Sequence, residues 1–150
     1  MYMRLLLTAA AALAVDQVTK SLALANLQTP KDLIEGVLTL RLAYNSGGAF
    51  GLLQGLPMFF GIATLVAVAA ILIWVRKAEE PRWMVPLGLV LGGGLGNVTD
   101  RLLRDTEGGV VDFIDFHVWP VFNMADVSIV VGVGLILIMS ARSDRDDARG

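Results

Sequence analysis

The chain contains no cysteine and only one histidine, His117. Without cysteine there can be no disulfide, no thiol nucleophile and no Cys/His zinc site. One histidine cannot build a metal site of several imidazoles, and a Ser-His-Asp triad would have to use His117. Any chemistry must therefore depend on carboxylates, amides and the few lysines and arginines, and the sequence predicts neither a metal nor a cofactor.

Charged residues are also scarce, because they make up 17% of the chain whereas 55% of it is hydrophobic. A soluble domain usually has about a quarter charged residues and less than about half apolar ones. This excess of apolar residues indicates a membrane protein. The net charge of −2 argues neither for nor against a charged partner, and no long basic run indicates a nucleic-acid partner. The length suits one domain, residues 1–150.

Four apolar stretches are candidate membrane spans, at residues 5–25, 57–75, 83–102 and 124–141. A spanning helix needs roughly 17–25 mostly apolar residues. The first and fourth stretches reach this length only if their ends carry polar residues, which is tolerated where those residues face protein or water. Glycine recurs every four residues in the third stretch, which favours a helix-packing seam at Gly88, Gly92 and Gly96.

The connection between the first two stretches contains a candidate β-strand. Apolar residues alternate there with Thr39, Arg41, Ala43 and Asn45, and a period of two is typical of a half-buried strand. The sequence therefore predicts an all-α membrane protein with four transmembrane helices and a small extracytoplasmic β element between the first and second of them.

The first 25 residues leave one alternative open, because they also resemble a cleavable signal peptide. Arg4 precedes an apolar run, and the small residues Ala12 and Ala14 of the segment ALA precede Val15. However, Asp16 and Lys20 lie four residues apart on one helix face, and the apolar character resumes after them. We therefore expect the first helix to be retained.

The basic residues indicate an orientation in the membrane. In an up-down arrangement, seven lie on one side and five on the other, which by the positive-inside rule places both termini in the cytoplasm. The seven are Arg4, Arg76, Lys77, Arg82, Arg142, Arg145 and Arg149, and the five are Lys20, Lys31, Arg41, Arg101 and Arg104.

The same arrangement brings the polar residues of the apolar stretches to one face, the outer one. Ionisable residues at membrane depth are costly and usually functional. Two carboxylates close together cannot both ionise easily, so one keeps a proton near neutral pH. The ionised member can take a proton from water while the protonated member hydrogen-bonds a carbonyl. This chemistry hydrolyses peptides without metal, cysteine or histidine.

Five sequence blocks resemble those of lipoprotein signal peptidase, the bacterial type II signal peptidase. In order along the chain they are DQVTK (16–20), NSGGAF (45–50), NVTDR (97–101), VVDFIDF (110–116) and FNMAD (122–126). The resemblance implies a catalytic dyad of Asp112 and Asp126. It also implies a supporting or substrate-binding shell of Asp16, Lys20, Asn45, Gly48, Asn97, Asp100, Arg101 and Asn123.

The resemblance further implies the biological setting. Such enzymes cut lipidated prolipoproteins just before the diacylglyceryl cysteine, contact membrane lipids and are blocked by the antibiotic globomycin. The expected location is the bacterial inner membrane, with the active site on the periplasmic side and the protein monomeric. Three features depart from the family pattern: Gly48 stands where alanine is common, FNMAD continues as Val127-Ser128 instead of directly with serine, and only residues 113–122 separate Asp112 from Asn123.

Several candidate residues also have plain structural interpretations. Asp126 could satisfy the free N–H groups at a helix start, although Asn123 is itself an attractive cap that would free Asp126 for chemistry. Asp115 competes with Asp112 on position alone. Asn45 could be a turn residue instead of a substrate contact.

Asp100 and Arg101 could form a structural ion-pair cluster with Asp16 or Lys20, because a buried charge needs a partner. Asp100 also remains a rival third carboxylate, and Arg101 could meet a lipid phosphate.

Two other classes of function remain alternatives to a protease. Paired aspartates within a membrane also suit a small proton-coupled transporter or proton-relay subunit. A non-enzymatic scaffold could use the polar cluster for helix packing alone.

Overall fold

The computed structural model describes residues 2–45, 66, 69–70, 73, 81–104, 106 and 109–147. In chain order its elements are helix α1 (Tyr2–Asn26), strands β1 (Lys31–Ile34) and β2 (Leu38–Asn45), a 3₁₀ turn (Pro81–Trp83), helix α2 (Met84–Leu103), strand β3 (Val110–Asp115) and helix α3 (Met124–Asp147).

Helices α1, α2 and α3 correspond to the first, third and fourth predicted spans, and α3 continues beyond the predicted end at residue 141. The second predicted span, 57–75, lies outside the described residues except for four helical positions, Val66, Ala69, Ala70 and Ile73. Among the described helices, two are long and apolar enough to cross a membrane, Tyr2–Asn26 and Met124–Arg142. Of the four predicted spans, the first and fourth are thus candidate membrane spans in the structure.

Glycines allow α2 to pack closely between α1 and α3. A Cβ atom at Gly88 would lie 2.8 Å from the backbone oxygen of Leu5, and one at Gly92 would lie 2.8 Å from the Cβ of Ala12. On the other side, a Cβ at Gly93 would clash with the backbone of α3. The predicted packing seam is confirmed, since any side chain here would push the helices apart.

The three strands form one antiparallel sheet in the order β1-β2-β3. The predicted strand is confirmed as β2, Leu38–Asn45. The predicted β element after the first helix is present as β1 and β2, and the sheet gains a third strand, β3, from the α2–α3 connection, which the sequence did not predict as a strand. Strand β3 is buried along nearly all its length, so its sequence lacks the alternation of a half-buried strand. The chain is thus mostly helical with a small sheet.

The register of the sheet positions two of the predicted site residues. Ala43 of β2 lies opposite Asp112 of β3, and Asn45 lies opposite Val110. An irregularity in β2 between Leu40 and Ala43 shifts the pairing there. Asn45 and Asp112 are therefore held on neighbouring strands, two rungs apart, which is within reach for their side chains.

Large apolar side chains cover the outer surfaces of α1 and α3. Leu7 is 63% exposed, Val130 is 70% exposed and Leu137 is 64% exposed. Fully buried positions, in contrast, include charged residues such as Asp16 and Lys20. Apolar surfaces of this extent on long helices are typical of contact with lipid.

Candidate active site

Helix α3 begins with a reciprocal capping arrangement between Asn123 and Asp126. Asn123 Oδ1 accepts a hydrogen bond from the Asp126 N–H at 3.0 Å, and Asp126 Oδ2 accepts one from the Asn123 N–H at 3.2 Å. This is the capping-box pattern, with an acid in the third helical position. The prediction that Asn123 caps the helix is confirmed. The hydrogen bond from the Asn123 N–H occupies one oxygen of Asp126, so only part of the carboxylate is free of capping.

Asp112 lies in the middle of β3 and is 2% exposed. Its Oδ1 accepts a hydrogen bond from Asn123 Nδ2 at 2.6 Å, and its Oδ2 accepts one from Asn45 Nδ2 at 3.2 Å. Both donors are neutral amides. Asn45, the last residue of β2, therefore contacts Asp112 from the neighbouring strand, and the residues of the alternative turn after it lie outside the described part of the chain.

Asn97 of α2 joins the two acids into one network. Its Nδ2 donates to Asp126 Oδ1 at 3.0 Å, and its Oδ1 accepts from Asn123 Nδ2 at 3.2 Å. Asn123 in turn donates to Asp112. The two carboxylates are thus bridged by a pair of hydrogen-bonded amides, contributed by α2 and by the start of α3.

Asp112 and Asp126 lie in different electrostatic environments. Burial, and then the negative charge of Asp126, raise the pKa of Asp112 to about 7. Asp126 is less buried than Asp112 and lies at a helix N-terminus, where the dipole favours a negative charge. Asp112 therefore keeps its proton up to about neutral pH.

A buried ion cluster underlies this network. Lys20 Nζ lies 2.8 Å from Asp16 Oδ2 and 2.9 Å from Asp100 Oδ2, with all three side chains fully buried. Lys20 also donates to Asn97 Oδ1 at 3.1 Å. The predicted ion-pair cluster is therefore present for Asp16, Lys20 and Asp100, which gives each buried charge a partner.

The same cluster holds the backbone beside each candidate catalytic acid. Asp100 Oδ2 accepts a hydrogen bond from the N–H of Val111 at 3.0 Å, and Asp16 Oδ1 accepts one from the N–H of Ala125 at 2.9 Å. Val111 precedes Asp112 and Ala125 precedes Asp126. Two carboxylates of the cluster therefore fix the main chain next to the two acids of the network.

Arg101 does not join the ion-pair cluster. Its Nη1 donates weakly to the backbone oxygen of Asn97 at 3.3 Å, and its buried Nε finds no hydrogen-bond acceptor among the described residues. The charges of Asp126, Asp112 and Asp100 all act on its guanidinium. Arg101 therefore lies on the side of the cluster that faces the two acids.

Sequence reasoning missed two members of the cluster, Gln17 and Arg104. Arg104 Nε donates to Asp100 Oδ1 at 3.0 Å, and Arg104 Nη2 donates to Gln17 Oε1 at 2.8 Å. The spacing of four residues between Asp100 and Arg104 is the usual spacing of a helical ion pair. That spacing is a signal from which Arg104 could have been predicted.

Asp115 occupies a different environment from Asp112. Three residues apart on a strand, the two side chains point to opposite faces. Asp115 Oδ2 lies 2.5 Å from Arg41 Nε, and its Oδ1 accepts from the His117 N–H at 2.7 Å. The hydrogen bond from Arg41, followed by that from His117, lowers the pKa of Asp115. Its contacts make it a structural acid of the sheet.

An apolar cavity of about 350 Å³ opens beside Asp126. Its other lining residues are Trp119, Phe122, Val127, Val130 and Val131. The carboxylate thus borders a groove suited to an apolar chain. Of the remaining predicted residues, Gly48 lies outside the described part of the chain. Among the described residues, no group of three or more histidine, aspartate or glutamate side chains is arranged to hold a metal ion.

Comparison with known proteins gives consistent matches over most of the chain. Residues 8–142 match the family described as Signal peptidase (SPase) II. The chain is 42% identical over 144 residues to the lipoprotein signal peptidase of Rhodococcus jostii strain RHA1, covering 91% of this chain and 71% of that protein. It is 41% identical over 142 residues to the lipoprotein signal peptidase of Shouchella clausii strain KSM-K16, covering 91% of this chain and 92% of that one.

Solved structures give the same picture. One bacterial membrane enzyme superposes with a TM-score of 0.84 at 32% sequence identity, covering 95% of this chain and 90% of that one. A second has a TM-score of 0.77 at 34% identity and covers 90% of each chain.

Proposed function

This chain belongs to the signal peptidase II family of membrane proteases, and we propose that it is an aspartic endopeptidase that removes signal peptides from lipidated prolipoproteins. The proposed cleavage lies just before the diacylglyceryl-modified cysteine. Asp112 and Asp126 are the proposed catalytic residues. The observation that supports this assignment best is that both acids belong to one hydrogen-bonded network of amides. Within it, burial and the charge of Asp126 raise the pKa of Asp112 to about 7.

The proposed mechanism uses the two acids in different protonation states. Ionised Asp126 takes a proton from a water molecule as the water oxygen attacks the scissile carbonyl carbon, and Asp112 gives its proton to the carbonyl oxygen. Collapse of the tetrahedral intermediate breaks the C–N bond. Asp126 then protonates the leaving amine, and Asp112 recovers the proton from the hydroxyl group, which restores the starting state.

The surroundings of the dyad suit a lipidated peptide. The apolar groove that Asp126 borders can accept an acyl chain or an apolar side chain of the signal peptide. Arg101, whose buried Nε has no acceptor among the described residues, can donate to a substrate carbonyl or to a lipid phosphate. Asn45, Gly48, Asn97 and Asn123 complete the proposed supporting shell.

We place the protein in the bacterial inner membrane as a single four-span domain that works as a monomer. Both termini are cytoplasmic in this proposal, and the sheet and the dyad lie on the periplasmic side. Globomycin is the expected inhibitor, and surrounding lipids the expected contacts. The family membership favours this function over a transporter, a proton relay or a scaffold.

A cleavage assay with purified protein, a lipidated prolipoprotein and detergent tests the proposal. We expect the wild type to shorten the substrate, globomycin to block the reaction, and Asp112→Asn or Asp126→Asn to lower the rate by about a hundredfold or more, as loss of acid–base catalysis does. Asp115→Asn is the matched control and should remain active.

Robust cleavage by Asp112→Asn would contradict the assignment of the dyad. If the wild type did not cut under conditions where another family member does, the transporter and scaffold alternatives would be favoured.

A further inference from the structure

We propose that Arg104 and Gln17 form a clamp that closes the buried ion cluster and thereby positions both catalytic acids. This inference rests on the proposed function. Neither residue touches Asp112 or Asp126 among the described contacts, so Arg104 would act as a positioning residue through Asp100.

The carboxylate of Asp100 is the centre of the argument, because two groups donate to each of its oxygens. Oδ1 accepts from Arg104 Nε at 3.0 Å and from Gln17 Nε2 at 3.1 Å. Oδ2 lies 2.9 Å from Lys20 Nζ and accepts from the N–H of Val111 at 3.0 Å. One oxygen is therefore held by the clamp and the other holds the backbone next to Asp112.

Gln17 extends the clamp across two helices. Its Nε2 lies within 3.2 Å of Asp16 Oδ2, Gly96 O and Asp100 Oδ1. Its Oε1 accepts from Arg104 Nη2 at 2.8 Å. Arg104 thus contacts the cluster at two points, with Nε on Asp100 and Nη2 on Gln17, and the planar guanidinium holds these two donors in a fixed geometry.

The charges show why Arg104 matters beyond packing. The cluster joins two acids, Asp16 and Asp100, to two basic residues, Lys20 and Arg104, so the formal charges of the four side chains balance. Lys20 and both acids are fully buried, whereas the Arg104 side chain is 20% exposed. Removing Arg104 would leave an excess negative charge in a buried site, which favours protonation of one acid as the pH falls.

Protonation of the cluster would reach the dyad by a short route. Asp100 holds the N–H of Val111, Asp16 holds the N–H of Ala125, and Lys20 holds Asn97, which donates to Asp126. The ionisable groups of this network are, by element, Asp16 and Lys20 on α1; Asp100, Arg101 and Arg104 on α2; Asp112 on β3; and Asp126 on α3.

A purely structural role for Arg104 makes a different prediction. Arg104 caps the C-terminal end of α2, where a basic side chain also interacts favourably with the helix dipole. In that case its loss would reduce stability alone, and the pH dependence of cleavage would not move.

The experiment compares Arg104→Met, Arg104→Lys and Gln17→Met with the wild type, and uses Arg142→Met, an exposed arginine on α3, as the matched control. We expect Arg104→Met to lower kcat about tenfold with little change in KM, which corresponds to loss of a buried charged hydrogen bond. The fall of kcat on the acid side of its pH profile, the acidic limb, should move to higher pH. Arg104→Lys should keep that limb, because the charge is retained, and Gln17→Met should lower kcat without moving it.

Wild-type kcat and pH profile in Arg104→Met would overturn the inference, as would equal losses in the Met and Lys variants with an unmoved acidic limb. A readout independent of cleavage separates this result from failure of the proposed function. The ¹³C chemical shift of the Asp112 carboxyl should change in Arg104→Met and stay at the wild-type value in Arg142→Met. If the wild type cuts nothing but this shift changes, only the proposed function fails.

Discussion

The buried acids of this protein differ in the kind of group that neutralises them. Asp16 and Asp100 share Lys20, a full positive charge at 2.8 and 2.9 Å. Among the described residues, the hydrogen-bond donors to Asp112 are the amides of Asn45 and Asn123. A neutral donor offsets less of the cost of burying a negative charge than a cation does. The fold therefore leaves Asp112 as the acid that keeps its proton.

Asp112 and Asp115 are expected to affect the pH dependence of stability with opposite signs. The folded-state pKa of Asp112 is raised to about 7, so the native state binds more protons than the unfolded chain between its ordinary pKa of about 3.9 and about 7. Stability should fall as the pH rises through this window. Asp112→Asn should therefore raise the unfolding temperature at pH 8, by a few degrees (about 2–8 °C), and give less gain at pH 4.

Asp115→Asn provides the matched comparison. The folded-state pKa of Asp115 is lowered by Arg41 and His117, so its stabilising contribution is present above the ordinary pKa and is lost as the pH falls through the folded pKa. This variant should lower the unfolding temperature at pH 8. Thermal unfolding in detergent at the two pH values checks both signs, and a loss of stability in Asp112→Asn at pH 8 would contradict the argument.

Much of the site could be predicted from residue types and positions. Asp16, Lys20, Asn97, Asp100, Asn123 and Asp126 were predicted to converge because each lies near the same end of an apolar stretch, and the structure brings them into one network. The exact partners could not be predicted. Arg104, and not Arg101, joins the ion cluster. The side of a helix end that faces a neighbouring helix depends on tertiary packing, and the local sequence does not determine it.

At the scale of elements, the solvent exposure of a strand's side chains decides whether the strand can be predicted from the sequence. One face of β2 is only half-buried, so its residues alternate and indicate a strand. Strand β3 is buried at five of its six positions, and a short apolar run of this kind cannot be distinguished from part of a helix by its periodicity. The strand that carries Asp112 was therefore predicted only as a connection.

The glycines of α2 and α3 allow a test of helix packing. A side chain at Gly92 would meet the backbone of Ala9 and the Cβ of Ala12, whereas nothing lies within 4 Å of a Cβ built at Gly134. Gly92→Ala should cost about 1–3 kcal/mol of unfolding free energy through overpacking. Gly134→Ala should be neutral or stabilise by up to about 1 kcal/mol, because alanine favours a helix.

Unfolding in mixed detergent micelles, followed by circular dichroism, measures both variants. Equal effects at the two positions would mean that α1 and α2 do not approach each other as closely as the packing of Gly92 requires. A loss confined to Gly92→Ala would support the close seam, which also brings Asp16 against α2 beside Gly96.

At the scale of the whole molecule, polarity is distributed opposite to that of a soluble protein. The ion cluster and the amides are buried between the helices, and the large apolar side chains of α1 and α3 face outward. The apolar part of α3, Met124–Arg142, has 19 residues and is therefore about 28 Å long, close to the thickness of a bilayer core. If α3 crosses the bilayer, its start with Asp126 would lie at one membrane surface and Arg142 at the other.

The orientation can be tested directly because the natural chain has no cysteine, so a single introduced thiol is unique. Val118, in the loop before α3, is 92% exposed, and Arg142 at the far end of α3 is also exposed. The excess of basic residues on the side of Arg142 predicts that this end is cytoplasmic. A membrane-impermeant maleimide should therefore label Val118→Cys in intact spheroplasts, and should label Arg142→Cys only after the membrane is permeabilised. The reverse pattern would place the dyad on the cytoplasmic side, where a protease for exported lipoproteins could not reach its cleavage site.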